Sequence, residues 1–451
     1  MASRLDTLRE VRLEKLKKLQ KAGVNAYPAK TNRTHTTNEA REESENSKVS
    51  VAGRVTGWRG HGGSVFADIE DLSGKIQIYL QEDKLKKEDF ENLNLLDLGD
   101  FLEVTGETFK TQAGEPTVRV ESYRLLTKTL RPLPLGWEGL KDTETRMRKR
   151  YLDMLVNKEE RDLFIKKGKF WNAVRTFLTN EGFIEVESPA LEPIPGGADA
   201  TPFVTHHNAL DQDFYLRISL ELYQKRMLVG GLEKIFEIGK IFRNEGIDKE
   251  HLQDYLQMEY YWAYANYEDL MDLTKRLYRY VIKETVGTLK TTYQGHEIDW
   301  GGNWAKLDYV DAFKEATGID LDKEVSEEEL SKYAKENKIP FEDKVGKGRL
   351  IDSIYKRMVR PFIVQPTFLI HHPVEVSALA KRVEDKPSRT ERIQVLVGGT
   401  ETCNGYSELN DPVDQYERFA EQEKLHKDGD EEAQRMDTDF VEALEYGMPP
   451  A

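Results

Sequence analysis

Residues 255–264 read YLQMEYYWAY. The even positions, Leu256, Met258, Tyr260, Trp262 and Tyr264, carry apolar mass, whereas Tyr255, Gln257, Glu259 and Tyr261 alternate with them, ahead of Ala263. Successive side chains of a strand point to opposite faces, so this period of two predicts a strand with one buried and one polar face. Asn404, Tyr406 and Glu408 repeat the pattern, and Arg243 and Glu245 close a third strand-like run that begins LEKIFEIGKIF. FIEVESP (183–189) and RIQVLVGG (392–399) read as further strands. A long helix is expected from Asp162 to Glu181, with Phe170, Trp171, Val174, Phe177 and Leu178 at helical spacing and Gly182 as its stop. Strands this far apart with helices between them predict a mixed α/β sheet rather than a barrel. The charged, helical stretch 319–347 reads as an inserted or peripheral bundle.

One polar strand face is ordinarily a solvent face. Three that carry carboxylates, an amide and tyrosine hydroxyls instead indicate a ligand site. Carboxylates there would pair an ammonium, and an arginine would pair a carboxylate or phosphate.

The chain ahead of this region has a different texture. VAGRVTGWRG, SVFADIEDLSG, KIQIYL, DFLEVTGETFKT and PTVRVESYRLL are five short strands with glycine turns, and KLKKEDFENLNLL fits a helix between the third and fourth. This is the pattern of a small barrel of the OB-fold type. Residues 4–22 predict an amphipathic helix with Leu5, Leu8, Val11, Leu16 and Leu19 on one stripe and basic residues on the other faces; that basic face is as compatible with solvent as with RNA. Residues 33–48 read as a loose polar connection, and 131–150 as a domain junction. The expected organisation is therefore an N-terminal helix within 1–30, a barrel within 50–130 and an α+β domain from 145 to 451.

The 451 residues, 33% charged and 38% hydrophobic, describe a globular chain of two or three domains. No apolar run approaches the ~20 residues of a membrane span. MASRLDTLREVRLEKL lacks the apolar block of a signal peptide, so a cytoplasmic location is expected. The single cysteine, Cys403, excludes an intrachain disulfide and a cysteine zinc site; His206–His207 and His371–His372 lack metal-site spacing. A net charge of −15 argues against general nucleic-acid binding but leaves room for local basic patches.

At these residues the chain resembles the class II lysyl-tRNA synthetases. KGKFWNAVRTFLTNEGFIEVESPAL resembles the first motif of that class, marked by Pro189, and FRNEGIDKEHLQDYLQMEYYWAYANYEDL the second. The stretch 194–239, ETCNGYSELNDPVDQYERF, RPLPLGWEGL and RYLDMLVN are similar to the lysine-specific branch. The resemblance implies an OB-fold anticodon domain followed by a six- or seven-stranded antiparallel catalytic sheet flanked by helices, working as a homodimer on L-lysine, ATP and tRNA(Lys), with magnesium. It further implies that Glu221, Glu259, Tyr261 and Glu408 surround the substrate's ε-ammonium, that Asn404 and Tyr406 help bind the amino acid, and that Gly197 admits its backbone. Arg243 would bridge the lysine carboxylate and the α-phosphate, making it the catalytic residue. Glu245 and His251 would contact ATP, Tyr255 would stack on adenine and Glu401 would hold magnesium. Phe66 would stack on an anticodon base, with Gln77 and Glu115 bonded to base edges.

No covalent enzyme intermediate is needed. The lysine carboxylate attacks the α-phosphate, and the protein contributes positioning and neutralisation of charge.

The sequence departs from the family in four places. Tyr406 stands where the family usually has phenylalanine, and Gln394 stands where it has a second magnesium-binding glutamate. Leu252 lies in HLQDY where a polar residue is usual. The sequence also stops at EYGMPPA, before the arginine-bearing third motif, so either a shortened sequence or a short paralogue is expected, with lysine activation by the chain as written expected to be poor. A catalytically impaired relative that binds lysine or RNA is the alternative function. An aspartate-type relative is disfavoured because its pocket would need cations where Glu221 and Glu259 stand.

Overall fold

The computed structural model describes residues 4–134, 140–246, 252–341, 346–427, 433 and 435–451. They divide into two compact units, residues 1–162 and 163–451.

In the first unit α1 (Arg4–Lys21) and α2 (Thr37–Glu42) precede β1 (Lys48–His61), β2 (Ser64–Glu70), β3 (Lys75–Gln81), α3 (Lys87–Asn92), β4 (Phe101–Lys110) and β5 (Pro116–Thr127). The strands close into a barrel in the order β1-β2-β3-β5-β4, with β1 pairing β4 to complete the ring. Period-two patterning does this. Val65, Ala67 and Ile69 on β2 and Ile76, Ile78 and Leu80 on β3 are buried, while the residues between them face outward. Closure leaves no strand edge for unintended pairing.

Two sequence expectations change here. The apolar stripe of α1 is buried only at Leu16 and Leu19, whereas Leu5, Leu8 and Val11 are exposed. Arg12 is among the buried residues rather than on an open basic face. Its guanidinium donates to Thr129 Oγ1 at 2.8 Å and to the carbonyls of Leu98 and Arg131 at 3.1 Å, so polar bonds as well as leucines fasten the helix. The supposed loose connection holds α2, where Thr36 and Glu39 form a reciprocal capping box and Thr37 and Ala40 are buried. The junction contains α4 (Thr143–Arg148) and runs into α5 (Arg150–Val156), whose Asp153 accepts from Arg146 and Arg150, each at 2.9 Å.

The second unit begins within α6 (Lys158–Asn180), which Gly182 ends in the left-handed conformation at φ 86°. β6 (Ile184–Glu185) comes next, then β7 (Leu191–Glu192), β8 (Val204–His207), β9 (Gln212–Leu216), α7 (Glu221–Val229), β10 (Lys234–Phe242) and β11 (Asp254–Trp262). α8 (Tyr267–Val286) leads to the hairpin β12 (Lys290–Tyr293) and β13 (His296–Asp299), then to β14 (Ala305–Asp308), α9 (Tyr309–Thr317), α10 (Glu327–Glu336) and α11 (Lys347–Met358). The chain continues through β15 (Thr367–Ile370), β16 (Arg382–Val383), β17 (Lys386–Thr390), β18 (Arg392–Val397), β19 (Thr400–Tyr406), α12 (Pro412–Lys427) and α13 (Thr438–Glu445).

The fold is mixed α/β with a largely antiparallel sheet flanked by helices, but its backbone bonds fall into separate ladders rather than one run of six or seven strands, and two of them carry the site strands. These are β11-β10-β6 and β14-β15-β18-β19. The β6–β10 and β14–β15 pairs are parallel. Parallel neighbours need a long crossover, and α9, α10 and α11 supply it between β14 and β15. The expected peripheral bundle shares a core with the sheet: Leu330 and Ala334 of α10 and Leu350 and Ile354 of α11 pack with Leu369 of β15 and Leu396 of β18. Among the described residues no helix is long and apolar enough to cross a membrane.

Candidate functional site

Antiparallel pairing of β10 with β11 places Glu237 directly opposite Glu259. Like charges facing each other across a ladder repel, and the two carboxylates are accommodated differently. Glu237 is 3% exposed; it accepts from Arg217 Nη1 at 2.7 Å, Ser188 N at 3.0 Å and Ser188 Oγ at 2.6 Å. Glu259 has no cation bonded to it among these contacts. Its Oε1 accepts from Ser219 Oγ and Leu220 N at 3.1 Å and from Gln257, and its Oε2 accepts from Tyr261 Oη at 3.1 Å. Burial, reinforced by the nearby Glu221, pushes the Glu259 carboxyl up to about 7. That shift favours the protonated form at rest, and a cation arriving beside it would favour the carboxylate.

Glu221 opens α7 and is buried with Glu408 beside it. Glu408 lies beyond the end of β19, carried into line by a single bridge to Ala380. Tyr406 Oη donates to Glu221 Oε1, so the hydroxyl that distinguishes it from phenylalanine is engaged with a pocket carboxylate. Gly197 has φ 83°, and a Cβ there would lie 3.0 Å from the Cβ atoms of Glu221 and Ser219, so only glycine fits against the start of α7. Glu221, Glu259, Tyr261, Tyr406 and Glu408 are thus brought to one pocket with Gly197 at its wall. Asn404 is exposed and accepts from Arg392 Nε at 2.8 Å.

Arg243 and Glu245 lie just past β10. Arg243 donates through Nε to the Ile218 carbonyl at 3.2 Å, and its guanidinium stands 5.9 Å from the centre of the Tyr255 ring. An arginine and an aromatic ring are thereby set side by side at the mouth of the polar face. His251 lies outside the described residues. The apolar face of β11 ends sooner than its sequence suggests: Tyr264 is 70% exposed with φ 65°, beyond the strand, and Leu256 is 41% exposed.

Glu401 and Gln394 meet across the β18–β19 ladder. Gln394 Nε2 donates to Glu401 Oε2 at 2.8 Å, and Gln394 Oε1 accepts from Tyr355 Oη at 3.3 Å. Among the described residues no cluster of three acidic, histidine or cysteine side chains could hold a metal ion. Magnesium is commonly held by one or two carboxylates together with substrate phosphates, and Glu401 would supply one such carboxylate.

On the barrel, Phe66 is not a core residue. It lies on the outward face of β2, stacked on Tyr79 of β3 with centroids 4.4 Å apart, and Tyr79 in turn stands 6.1 Å from Phe109. Gln77 shares that face, accepting from Thr117 Oγ1 at 3.0 Å, and Glu115 accepts from Arg41 at 2.8 Å. Arg119 lies 4.6 Å from the centre of the Phe109 ring. Aromatic faces flanked by arginine and by hydrogen-bonding tips make a platform suited to single-stranded bases.

Sequence reading missed Lys225, Ser219 and Tyr79. Lys225 could have been found from its i, i+4 relation to Glu221 on a helix, and Tyr79 from its alternation with Ile76, Ile78 and Leu80. Ser219 carries no sequence signal.

Residues 142–451 match the family model described as class II tRNA synthetases (D, K and N), and residues 49–126 match that of the OB-fold nucleic acid binding domain. The chain belongs to the class II tRNA synthetases. Its relatives include the lysine–tRNA ligase of Thermoanaerobacter pseudethanolicus, 47% identical over 402 residues, covering 89% of this chain and 81% of that protein. The lysine–tRNA ligase of Bacillus subtilis is 46% identical over 403 residues, with the same coverage, and that of Moorella thermoacetica is 46% identical over 404 residues, covering 90% and 83%.

Proposed function

We propose that this chain activates L-lysine with ATP and ligates it to tRNA(Lys). The observation that carries this reading is the pocket formed by Glu221, Glu259 and Glu408, three buried or half-buried carboxylates of which Glu259 is bonded only to neutral donors. Such a pocket selects an ammonium-tipped side chain, because a neutral one leaves buried charge without a partner. In this reading Tyr261 and Tyr406 wall the pocket, Gly197 admits the substrate backbone and Asn404 lies at its rim. Arg243 pairs the lysine carboxylate and the α-phosphate, so that attack occurs between charges it has neutralised. Tyr255 stacks on adenine, and Glu245 and His251 hold the nucleotide. Glu401, with Gln394 beside it, holds magnesium, which when bound neutralises phosphate charge. Lysine-dependent ATP–pyrophosphate exchange and charging of a tRNA(Lys) transcript test the reading. Exchange stimulated by another amino acid in preference to lysine would overturn it.

Lysine binding should depend on pH. With the Glu259 carboxyl at about 7, lysine must displace a proton below that pH, so affinity rises with pH. The expected gain is up to about tenfold per pH unit below 7, flattening above it. Calorimetry in two buffers of different ionisation enthalpy should show proton release at pH 6.5 and little at pH 8. Equal heats in both buffers at pH 6.5 would remove Glu259 from the pairing role.

The barrel face is assigned to the anticodon, with Phe66 stacking on a base and Gln77 and Glu115 reading edges. Phe66→Ala should weaken an anticodon stem-loop by ~1–3 kcal/mol. The melting temperature should change little, because the ring is outside the barrel core. A fluorescence titration beside a melting curve checks this; loss of melting temperature with unchanged binding would contradict the assignment. A homodimer in the cytoplasm completes the proposal. Exposed Leu163, Phe164 and Ile165 on α6 support self-association, which sedimentation would test.

A further inference from the structure

Lys225 is fully buried inside a protein pocket assigned to a lysine substrate. Its Nζ lies 2.5 Å from Glu221 Oε1 and 2.5 Å from Glu408 Oε2, and 5.2 Å and 6.0 Å from the ring centres of Tyr406 and Phe440. Glu221 is one helical turn away on α7, whereas Glu408 arrives from beyond β19 and Phe440 from α13. The ammonium therefore ties three sequence-distant segments of the unit together at the pocket.

We propose that Lys225 is a positioning residue for the substrate pocket: by bridging Glu221 and Glu408 it fixes the direction of both carboxylates and cancels one of their charges, so that the pocket admits a single further ammonium. The proposal rests on the lysine reading above. Without a resident cation, Glu221 and Glu408 would repel each other and share a proton, turning away from the ligand. With it, each carboxylate has one oxygen engaged and the other left for the ligand. Tyr406 Oη adds a second donor on Glu221 Oε1, fixing that oxygen further. Lys225 need not touch the substrate, because it acts through the two glutamates.

The test is lysine and ATP affinity by calorimetry on the full chain, with melting curves, for Lys225→Met, Glu408→Gln and the double variant. Lys225→Met should weaken lysine by ~100-fold or more, as expected when a buried ion pair loses one partner. ATP affinity should stay within about threefold, since the nucleotide contacts lie elsewhere. The double variant restores the charge sum of the Glu221–Lys225–Glu408 set and offers Glu221 an amide donor. It should bind lysine at least ~10-fold more tightly than Lys225→Met, although Glu408→Gln weakens binding in the unaltered background. A double variant no better than Lys225→Met would overturn the proposal, as would equal weakening of lysine and ATP. If Lys225→Met does not fold, the double variant must restore folding, and its failure to do so also overturns the proposal. Failure of the unaltered chain to bind lysine would instead overturn the functional reading itself, and this inference with it.

Discussion

Glu259→Gln is expected to cost lysine binding ~3–5 kcal/mol, because the substrate ammonium would enter a buried site that has lost one carboxylate partner. ATP binding should change little, since Arg243 and Tyr255, the groups assigned to it, lie further along the polar face. The amide can still accept from Ser219 and Leu220 through its oxygen, so the local backbone should hold. The glutamine also removes the group held at about 7, and the pH dependence of lysine binding should flatten in the same variant. Calorimetric titration of both ligands across pH 6 to 8 measures all three effects. Equal weakening of lysine and ATP, or none, would remove Glu259 from the pocket's chemistry.

The second large effect is on stability. Glu237→Gln should destabilise the larger unit by ~3–5 kcal/mol, because Arg217 would be left as a buried guanidinium without its carboxylate. Arg217 also donates to the Ser188 carbonyl at 3.0 Å and to that of Lys240 at 2.8 Å, and these bonds remain. They orient the charge but do not neutralise it. A urea titration followed by tryptophan fluorescence gives the loss directly, and an unchanged midpoint would show that Arg217 is otherwise compensated. Replacing both members by apolar residues should cost less than breaking the pair.

How much of this was legible depended on whether a side chain's partner lay nearby in sequence. The barrel could be read because each strand carries its own alternation and its own turns. The polar face of β11 could be read for the same reason, and Glu259 and Tyr261 share it as the period requires. α2 was missed: Thr36 and Glu39 carry a capping-box signal, but its six residues are too short for an apolar period to show. The split of the sheet into separate ladders was not legible, since pairing partners such as β14 and β15 are separated by three helices. Nor was the burial of Lys225: its spacing to Glu221 marks a helix pair, but a lysine on a helix is ordinarily solvated, and the arrival of Glu408 from almost two hundred residues away completes the pairing that makes burial tolerable. The half-exposed α1 shows the converse. Its leucine stripe is periodic along its length, yet burial depends on what the rest of the unit offers, and that offer ends near Arg12.

The outward and inward residues of β2 and β3 alternate along the same few peptides, Phe66 between Val65 and Ala67, Gln77 between Ile76 and Ile78. If the outward residues read bases as proposed, recognition and architecture are interleaved on opposite faces of the same strands. Exchanging an outward side chain should leave the inward core contacts in place, because the closed ring holds the register of the strands. A lineage could in this way rewrite which bases the barrel prefers, one surface residue at a time, without passing through an unfolded intermediate genotype.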